Sequence, residues 1–343
     1  METLNYIGSK KTLIANIIKI CNDNIPNLKN LSFADLFSGT GTVGYNMNKL
    51  CKKIIGNDLE YYSYIINCAL LLSSYSDMIQ KIIDDMNNLD GVEGLIFNNY
   101  SNDRMFFTND NAKKADAIRL YLDEIYSNNM INMNEFNFLL ASIITSVDKV
   151  ANTSVVYGAF LKEYKKAALK PLIIKPIHMN TKNNKHNKVF HMKMEDLIVD
   201  EIFDIVYLDP PYNHRQYSAN YSPLNYIAQY EDIELTGKTG LIKDYNKSDF
   251  CKKTTIQDTF TNAIDAIKCK YLILSYNNEG LMSFDDIKNI LLKKGDIKLY
   301  KIEYNKFKAQ QNVSGDKVYE YIWFVDTTNN NNKFEEISMD LIK

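Results

Sequence analysis

The chain is short of the residues that would mark it as a special class of protein. It has one Trp, six Pro, four His and five Cys among 343 residues. The cysteines (Cys21, Cys51, Cys68, Cys251, Cys269) are odd in number, widely spaced and form no Cys-x-x-Cys pair. That excludes a disulfide framework and a zinc site and fits a reducing compartment. The histidines show no ligand spacing, so no metal is expected. No run of about 18 apolar residues exists, which excludes a helical bilayer span. The first ten residues lack the apolar core of a secretory leader, so a cytoplasmic location is expected. Charge of neither sign dominates, the formal net charge being −2. A chain-wide basic field is therefore absent, and any polyanion must be met by local positive charge.

What is present is a globular composition: 45% hydrophobic and 24% charged residues. The length suits one large domain, or a main domain with a smaller one. Tyr (24) and Phe (16) are abundant, and suit sheet faces or stacking surfaces. The segment around residues 13–20 carries apolar residues at helical spacing. Residues 32–37 read as a strand running into Ser38-Gly39-Thr40-Gly41-Thr42-Val43-Gly44, a glycine-rich turn opening a helix; residues 53–58 read as the next strand. This is a β-α-β unit, the start of a mostly parallel sheet. Helical patterns then follow one another, with residues 135–150 the clearest, as far as an Asn-rich polar linker at 181–188. The sheet resumes with strands at 188–191, 203–208 and 271–276, the middle one a continuous apolar run suited to a buried central strand. Residues 297–304 and 317–326 alternate and predict an antiparallel hairpin closing the sheet edge. The expected division is a catalytic domain of residues 1–64 and 181–330, an inserted helical region at 65–180, and a flexible tail at 331–343.

Two constellations carry chemistry. Glycine at 39 and 41 permits a tight turn and close approach of a ligand to the backbone. Asp58, at the carboxyl end of the following strand, is placed to accept hydrogen bonds from ribose hydroxyls. A nucleoside without phosphates fits this turn at least as well as NAD, and a plain β-α turn is the alternative. The second constellation is Asp209-Pro210-Pro211-Tyr212, directly after the central strand and so at the sheet's carboxyl edge, where open α/β folds bind ligands. Two prolines stiffen the backbone and remove two N–H donors while their carbonyls remain. Rigid acceptors, a carboxylate and an aromatic plate together suit a planar base bearing an exocyclic amino group. A strand-ending proline turn is the bland alternative.

With these residues in view, the chain resembles the D12 class of adenine-specific DNA methyltransferases, the class of the Dam methylases, in its alpha-group order. Asn5-Tyr6-Ile7-Gly8-Ser9-Lys10 resembles the class's N-terminal cofactor motif. Asp35-Leu36-Phe37-Ser38-Gly39-Thr40-Gly41 resembles its glycine motif, and Asn57-Asp58 its ribose-binding acid. Glu195-Asp196 resembles the acidic position beside the cofactor's adenine, with Asp196 taken as that acid. Asp209 to Tyr212 resembles the catalytic motif, while the stretch from Asn213 to Tyr217 is closer to restriction-modification members than to Dam. The resemblance implies a Rossmann-like sheet using S-adenosylmethionine, bound by Tyr6, Lys10, Asp35, Phe37, Ser38, Gly39, Thr40, Gly41, Asp58, Asp196 and Asp209. It implies that the helical insertion recognises the target.

The chemistry so implied is methylation of adenine N6 in duplex DNA, with Asp209, Pro210, Pro211 and Tyr212 catalytic. The adenine must leave the base stack to reach the sheet edge. DNA contact is expected from the basic run Lys162, Lys165, Lys166 and Lys170, from Arg215, Gln216 and Tyr217 beyond the catalytic motif, and from Lys308; a solvated helix face is the other reading of the run. A cognate restriction endonuclease would be a natural partner. The alternatives are methylation of RNA adenine or of DNA cytosine N4, and a non-catalytic DNA-binding paralogue. An NAD-dependent dehydrogenase is disfavoured because no acid/base pair accompanies the glycine turn.

Overall fold

A computed structural model of the chain describes residues 4–182, 186–304 and 318–342. Its strands are β1 (Ser32–Asp35), β2 (Lys53–Asp58), β3 (Lys188–His191), β4 (Ile205–Leu208), β5 (Leu235–Thr236), β6 (Leu241–Ile242), β7 (Tyr271–Asn277), β8 (Asp296–Tyr304), β9 (Val318–Asp326) and β10 (Phe334–Met339). Eight of them form one sheet in the order β10-β8-β9-β7-β4-β1-β2-β3, and β5 with β6 forms a separate small hairpin. Within the large sheet β9 alone runs antiparallel to its neighbours. The α/β architecture expected from the sequence, Rossmann-like and mostly parallel, is the one observed.

The helices are α1 (Ile14–Asn24), α2 (Thr42–Met47), α3 (Tyr61–Leu71), α4 (Asp77–Asn88), α5 (Leu95–Tyr100), α6 (Asn109–Ser127), α7 (Met133–Lys149), α8 (Met194–Asp200), α9 (Tyr217–Asn220), α10 (Ser222–Gln229), α11 (Ile256–Ala266) and α12 (Phe284–Leu292). The alternation of strand side chains divides them between the two faces. Phe33, Ile205, Tyr207 and Ile273 pack into one core with residues of α1, α3 and α7. Ala34, Val206, Leu208, Leu272 and Leu274 pack into the other with α8, α11 and α12. β4 is buried along its whole length because both its faces and both its edges are covered.

The helical region is capped as its sequence allows. Asn132 and Glu135 form a reciprocal capping box at the start of α7, and Thr108 caps α6. α3 begins at Tyr61, touches β2 and β3 on one side and packs along α7 on the other, so it belongs to sheet and lobe together. The lobe also takes up chain from beyond the catalytic motif. Arg119 Nε donates to the Ile227 carbonyl at 3.0 Å. The Tyr230 hydroxyl donates to Asp116 at 2.7 Å, and the Tyr100 hydroxyl to the Gly240 carbonyl beside the β5–β6 hairpin at 2.7 Å.

The expectation of a flexible tail at 331–343 is corrected. β10 pairs in parallel with β8, from Phe334 opposite Ile297 to Met339 opposite Ile302. β8 and β9 form the expected antiparallel pair, and β10 adds one further strand beyond β8. The tail is held by side-chain chemistry that its Asn-rich composition conceals. Asp296 accepts the N–H groups of Asn331 and Lys333 at 2.8 and 3.2 Å. Asn16 in α1 donates to the Asp340 carbonyl and accepts from the Ile342 N–H. Among the described residues no helix is long and apolar enough to cross a membrane.

Candidate active site at the carboxyl edge of the sheet

The carboxyl ends of β1, β2 and β4 meet at a cleft open to solvent. The β1 turn is stitched to β2 by Ser38, whose N–H donates to the Asn57 carbonyl and whose hydroxyl oxygen accepts the Asn57 N–H at 2.9 Å. Gly39 then enters the left-handed region, φ +50°, and aims its N–H at Asp58 Oδ2, 2.7 Å away. A Cβ at Gly39 would stand 3.2 Å from the Tyr6 ring, a tight contact. Gly41 has a different reason to be glycine. At φ +71° it precedes α2, and a Cβ there would stand 2.7 Å from the Leu70 methyl. Gly41 does not line the cleft; it lets α2 and α3 pack closely.

The N-terminal segment lies across the same cleft. Lys10, buried, reaches Asp209 Oδ1 at 2.8 Å and Glu320 Oε1 at 3.3 Å, and donates to the Gly8 carbonyl at 3.3 Å. Burial alone would lower the Lys10 pKa, but Asp209 and Glu320 reverse that and hold the ammonium charged. Asp209 is pushed up to about 6, by burial first, with Lys10 pulling down and Glu320 pushing up. Tyr6 stacks on Tyr221 at 4.8 Å and meets Tyr217 at 5.5 Å.

The lining is rich in buried carboxyl groups. Burial, aided by Asp209, pushes Asp35 up to about 8. Burial pushes Glu60 up to about 7, partly offset by hydrogen bonds from Ser218 and Asn225. Asp58 is also raised by burial, although it accepts the N–H groups of Glu60 and Gly39. Asp35 accepts only the Gly44 N–H at 3.3 Å, on Oδ2; Oδ1 is buried with no hydrogen-bond partner among the described residues. Orphaned carboxylate oxygen of this kind in an acidic cleft fits a cationic ligand, and S-adenosylmethionine carries both a sulfonium and an ammonium. The residues therefore fit that cofactor.

Most of the residues singled out from the sequence converge here. Tyr6, Lys10, Asp35, Phe37 and Ser38 line the cleft, as do Gly39, Thr40, Asp58, Asp209 and Pro211. Asp196 does not. On α8 the buried positions are Met194, Leu197 and Ile198, which turns Asp196 outward and leaves Glu195 as the acid that lines the cleft. Pro210 is buried beneath the surface. Tyr212 stands beside the cleft, near Gly8, with its ring edge-on to Tyr276 at 6.4 Å.

The residues expected to meet DNA divide. Gln216 and Tyr217 line the cleft itself. Both ends of the Gln216 amide are spent on Ser248, donating to its carbonyl at 3.0 Å and accepting its N–H at 2.8 Å. Gln216 thus clamps the 247–251 segment that forms the opposite wall, where Phe250 meets Phe37 edge-on at 5.2 Å. The Tyr217 hydroxyl turns inward to the Ile7 carbonyl at 3.4 Å. Arg215 is exposed. The basic run lies on irregular chain, not on a helix: Lys162, Lys166 and Lys170 are exposed, while Lys165 Nζ donates to the Thr153 carbonyl at 2.6 Å. Lys308 lies outside the described residues. The sequence reading missed Glu60, Glu320 and residues 247–251. Glu60, two places after Asp58, was within reach of local reasoning; residues 247–251 reach the cleft, and Glu320 reaches Lys10, from far along the chain.

This geometry agrees with the outcome of comparison with known proteins. A sheet with one antiparallel strand, a glycine turn after β1 and an Asp-Pro-Pro-Tyr edge after β4 frame a ligand cleft at the carboxyl end of an open α/β sheet. Residues 6–290 match the D12 class of N6 adenine-specific DNA methyltransferases, and the chain belongs to that family. It is 39% identical over 341 residues to the Type II methyltransferase M.NlaIII of Neisseria lactamica, covering 95% of this chain and 100% of that one. It is 37% identical over 335 residues to the Type II methyltransferase M.CviAII of Paramecium bursaria Chlorella virus 1, covering 95% and 99%. To the Type II methyltransferase M.FokI of Planomicrobium okeanokoites it is 34% identical over 342 residues, covering 94% of this chain and 52% of that one. The protein is an enzyme that methylates adenine N6 in DNA. The alternatives of RNA adenine, DNA cytosine N4 and a non-catalytic paralogue give way to that membership.

Proposed function

We propose that this cleft binds S-adenosylmethionine and that an adenine flipped out of duplex DNA meets it beside Asp209. The observation that carries the reading is the Lys10–Asp209 contact at 2.8 Å, which fixes the catalytic carboxylate at the cleft edge next to the glycine turn. When bound, the cofactor supplies an electrophilic methyl group. Tyr6, Gly39 and Asp58 would hold its nucleoside, with Glu195 in place of Asp196 as the second acid. Asp35 would take its positive charge.

Adenine N6 is a weak nucleophile because its lone pair is conjugated with the ring. Asp209 and the Pro210 carbonyl would accept hydrogen bonds from the amino group, drawing the nitrogen toward tetrahedral geometry and freeing that lone pair. Lys10 keeps Asp209 oriented and favours its ionised form. No strong base is needed, since the methylated nitrogen is itself acidic and loses its proton late. Tyr212, next to the cleft rather than in it, suits a stacking plate for the extruded base. Extrusion costs about a few kcal/mol, recovered in part by that stacking.

The exposed Lys162, Lys166, Lys170 and Arg215 would contact phosphates, whereas Lys165, Gln216 and Tyr217 serve the fold and the cleft. The resemblance to Type II enzymes supports a cytoplasmic role in a restriction-modification or phage/host modification system with a cognate endonuclease. Incubation with labelled S-adenosylmethionine and either duplex DNA or RNA tests the reading. Label is expected in duplex DNA; a protein that binds the cofactor but labels only RNA would overturn it.

A further inference from the structure

Tyr6 stands on a segment without regular structure, and Lys10 opens the single 3-10 turn that follows it, Lys10–Thr12. Something must hold them to a few tenths of an ångström for the cleft to work. The sheet does so at one end only, through Asp209 and Glu320 on Lys10. At the other end the anchor comes from the helical lobe. Asp148, in the last turn of α7, is 2% exposed. Its Oδ2 accepts both the backbone N–H of Asn5 at 2.8 Å and the Asn5 side-chain amide at 3.0 Å. Its Oδ1 accepts the Tyr157 hydroxyl at 3.0 Å. Tyr157 in turn packs against Tyr221, the ring on which Tyr6 stacks. The Tyr221 hydroxyl accepts the Ile7 N–H at 2.8 Å. Asp148 thus grips the segment one residue before Tyr6 and also supports the ring beneath Tyr6.

We infer that Asp148 is a positioning residue for methyl transfer: it fixes Asn5 from the helical lobe and thereby sets where Tyr6 and Lys10 stand in the cleft. The inference rests on the proposed cofactor role of Tyr6 and Lys10. Asp148 accepts all three hydrogen bonds, so an apolar replacement leaves the buried Tyr157 hydroxyl unpaired and releases the exposed Asn5 from its anchor. Misplacement of the segment by about 1 Å is enough to cost roughly a hundredfold in rate.

The test compares Asp148→Ala, Asp148→Asn, Tyr157→Phe and Lys10→Ala in the full-length protein. Each is scored for kcat, KM for S-adenosylmethionine, duplex DNA affinity and melting temperature. Asp148→Ala is expected to lower kcat/KM for the cofactor by roughly tenfold to a hundredfold while DNA affinity holds. Asp148→Asn keeps one acceptor oxygen for Asn5 and should recover most of the loss. Tyr157→Phe, which removes one hydroxyl, should cost a few-fold and remains informative if Asp148→Ala does not fold. Adding Asp148→Ala to Lys10→Ala should cost less than it does alone, because both act through one group. Fully additive losses, or wild-type kinetics in both Asp148→Ala and Tyr157→Phe, overturn the inference. If Lys10→Ala is also fully active, the fault lies with the site assignment itself.

Discussion

The sheet edge and the helical lobe meet in one cleft, but they are written in the sequence in opposite ways. At the edge each function occupies a few consecutive residues: the turn from Ser38 to Gly41, Asp58, and Asp209 to Tyr212. A β-α turn and a strand end are local objects, and their backbone demands fall on neighbours in sequence. The lobe is assembled from distant pieces. Asp148 holds Asn5 across 143 residues, Gln216 holds Ser248 across 32, and Arg119 holds the Ile227 carbonyl across 108. Local motifs therefore show what the edge does, while the lobe's contribution emerges only from the folded arrangement.

The sharpest way to separate the two regions is Asp209→Ala. It should lower transfer by about a thousandfold or more, since it removes the charged acceptor from the transition state, and leave duplex DNA affinity unchanged in a filter or anisotropy titration. A parallel loss of DNA binding would mean that edge and lobe are not separable. The next largest effect distinguishes the two glycines of the turn. Gly41→Ala should destabilise the fold by ~1–3 kcal/mol through strain at positive φ and collision with Leu70. Calorimetry should show the drop without a matching rise in cofactor KM; the reverse pattern would make Gly41 a ligand-contacting residue.

The edge should also respond to pH in a way the basic surface does not. Asp35, Glu60 and Asp209 are held up to about 8, 7 and 6. Raised carboxyl groups bind protons in the folded chain that the unfolded chain releases near pH ~4. Their contribution to stability is full at low pH and is lost as pH rises through 6 to 8. A cationic ligand reverses the preference by favouring the ionised forms. Between pH 6 and pH 8.5 the melting temperature of the ligand-free protein should fall while S-adenosylmethionine affinity rises. Affinity that is flat or falling would remove the acidic cleft from cofactor binding.

The smallest effects belong to the surface. Lys162→Ala, Lys166→Ala and Lys170→Ala should each weaken DNA binding uniformly across sequences and reduce the salt slope by about 1. Lys165→Ala should instead lower the melting temperature, because its ammonium is spent on the Thr153 carbonyl. Equal salt slopes for all four variants would put the DNA path elsewhere.

The fold was legible wherever periodicity and turn chemistry agreed. β2 and β3 lie on the residues read as strands, and the glycine turn and Asp-Pro-Pro-Tyr stand at the edge where strand ends put them. Three things were not legible, each for a physical reason. The tail looked frayed because its Asn residues are also turn formers, and its order comes from Asp296 and Asn16 elsewhere in the chain. The choice of Glu195 over Asp196 depends on the phase of α8, fixed by Met194, Leu197 and Ile198 in the core. The roles of Gln216 and Lys165 depend on partners that composition cannot show; a charged or amide side chain reads alike whether it meets phosphate or a buried carbonyl.

Nucleoside analysis of duplex DNA treated with the wild type and with Asp209→Ala in the presence of S-adenosylmethionine tests the central claim most directly. The wild type should yield N6-methyladenine and no other methylated base, and Asp209→Ala should yield essentially none although it binds both ligands. N4-methylcytosine as the product, or N6-methyladenine formed by Asp209→Ala at close to the wild-type rate, would contradict the account.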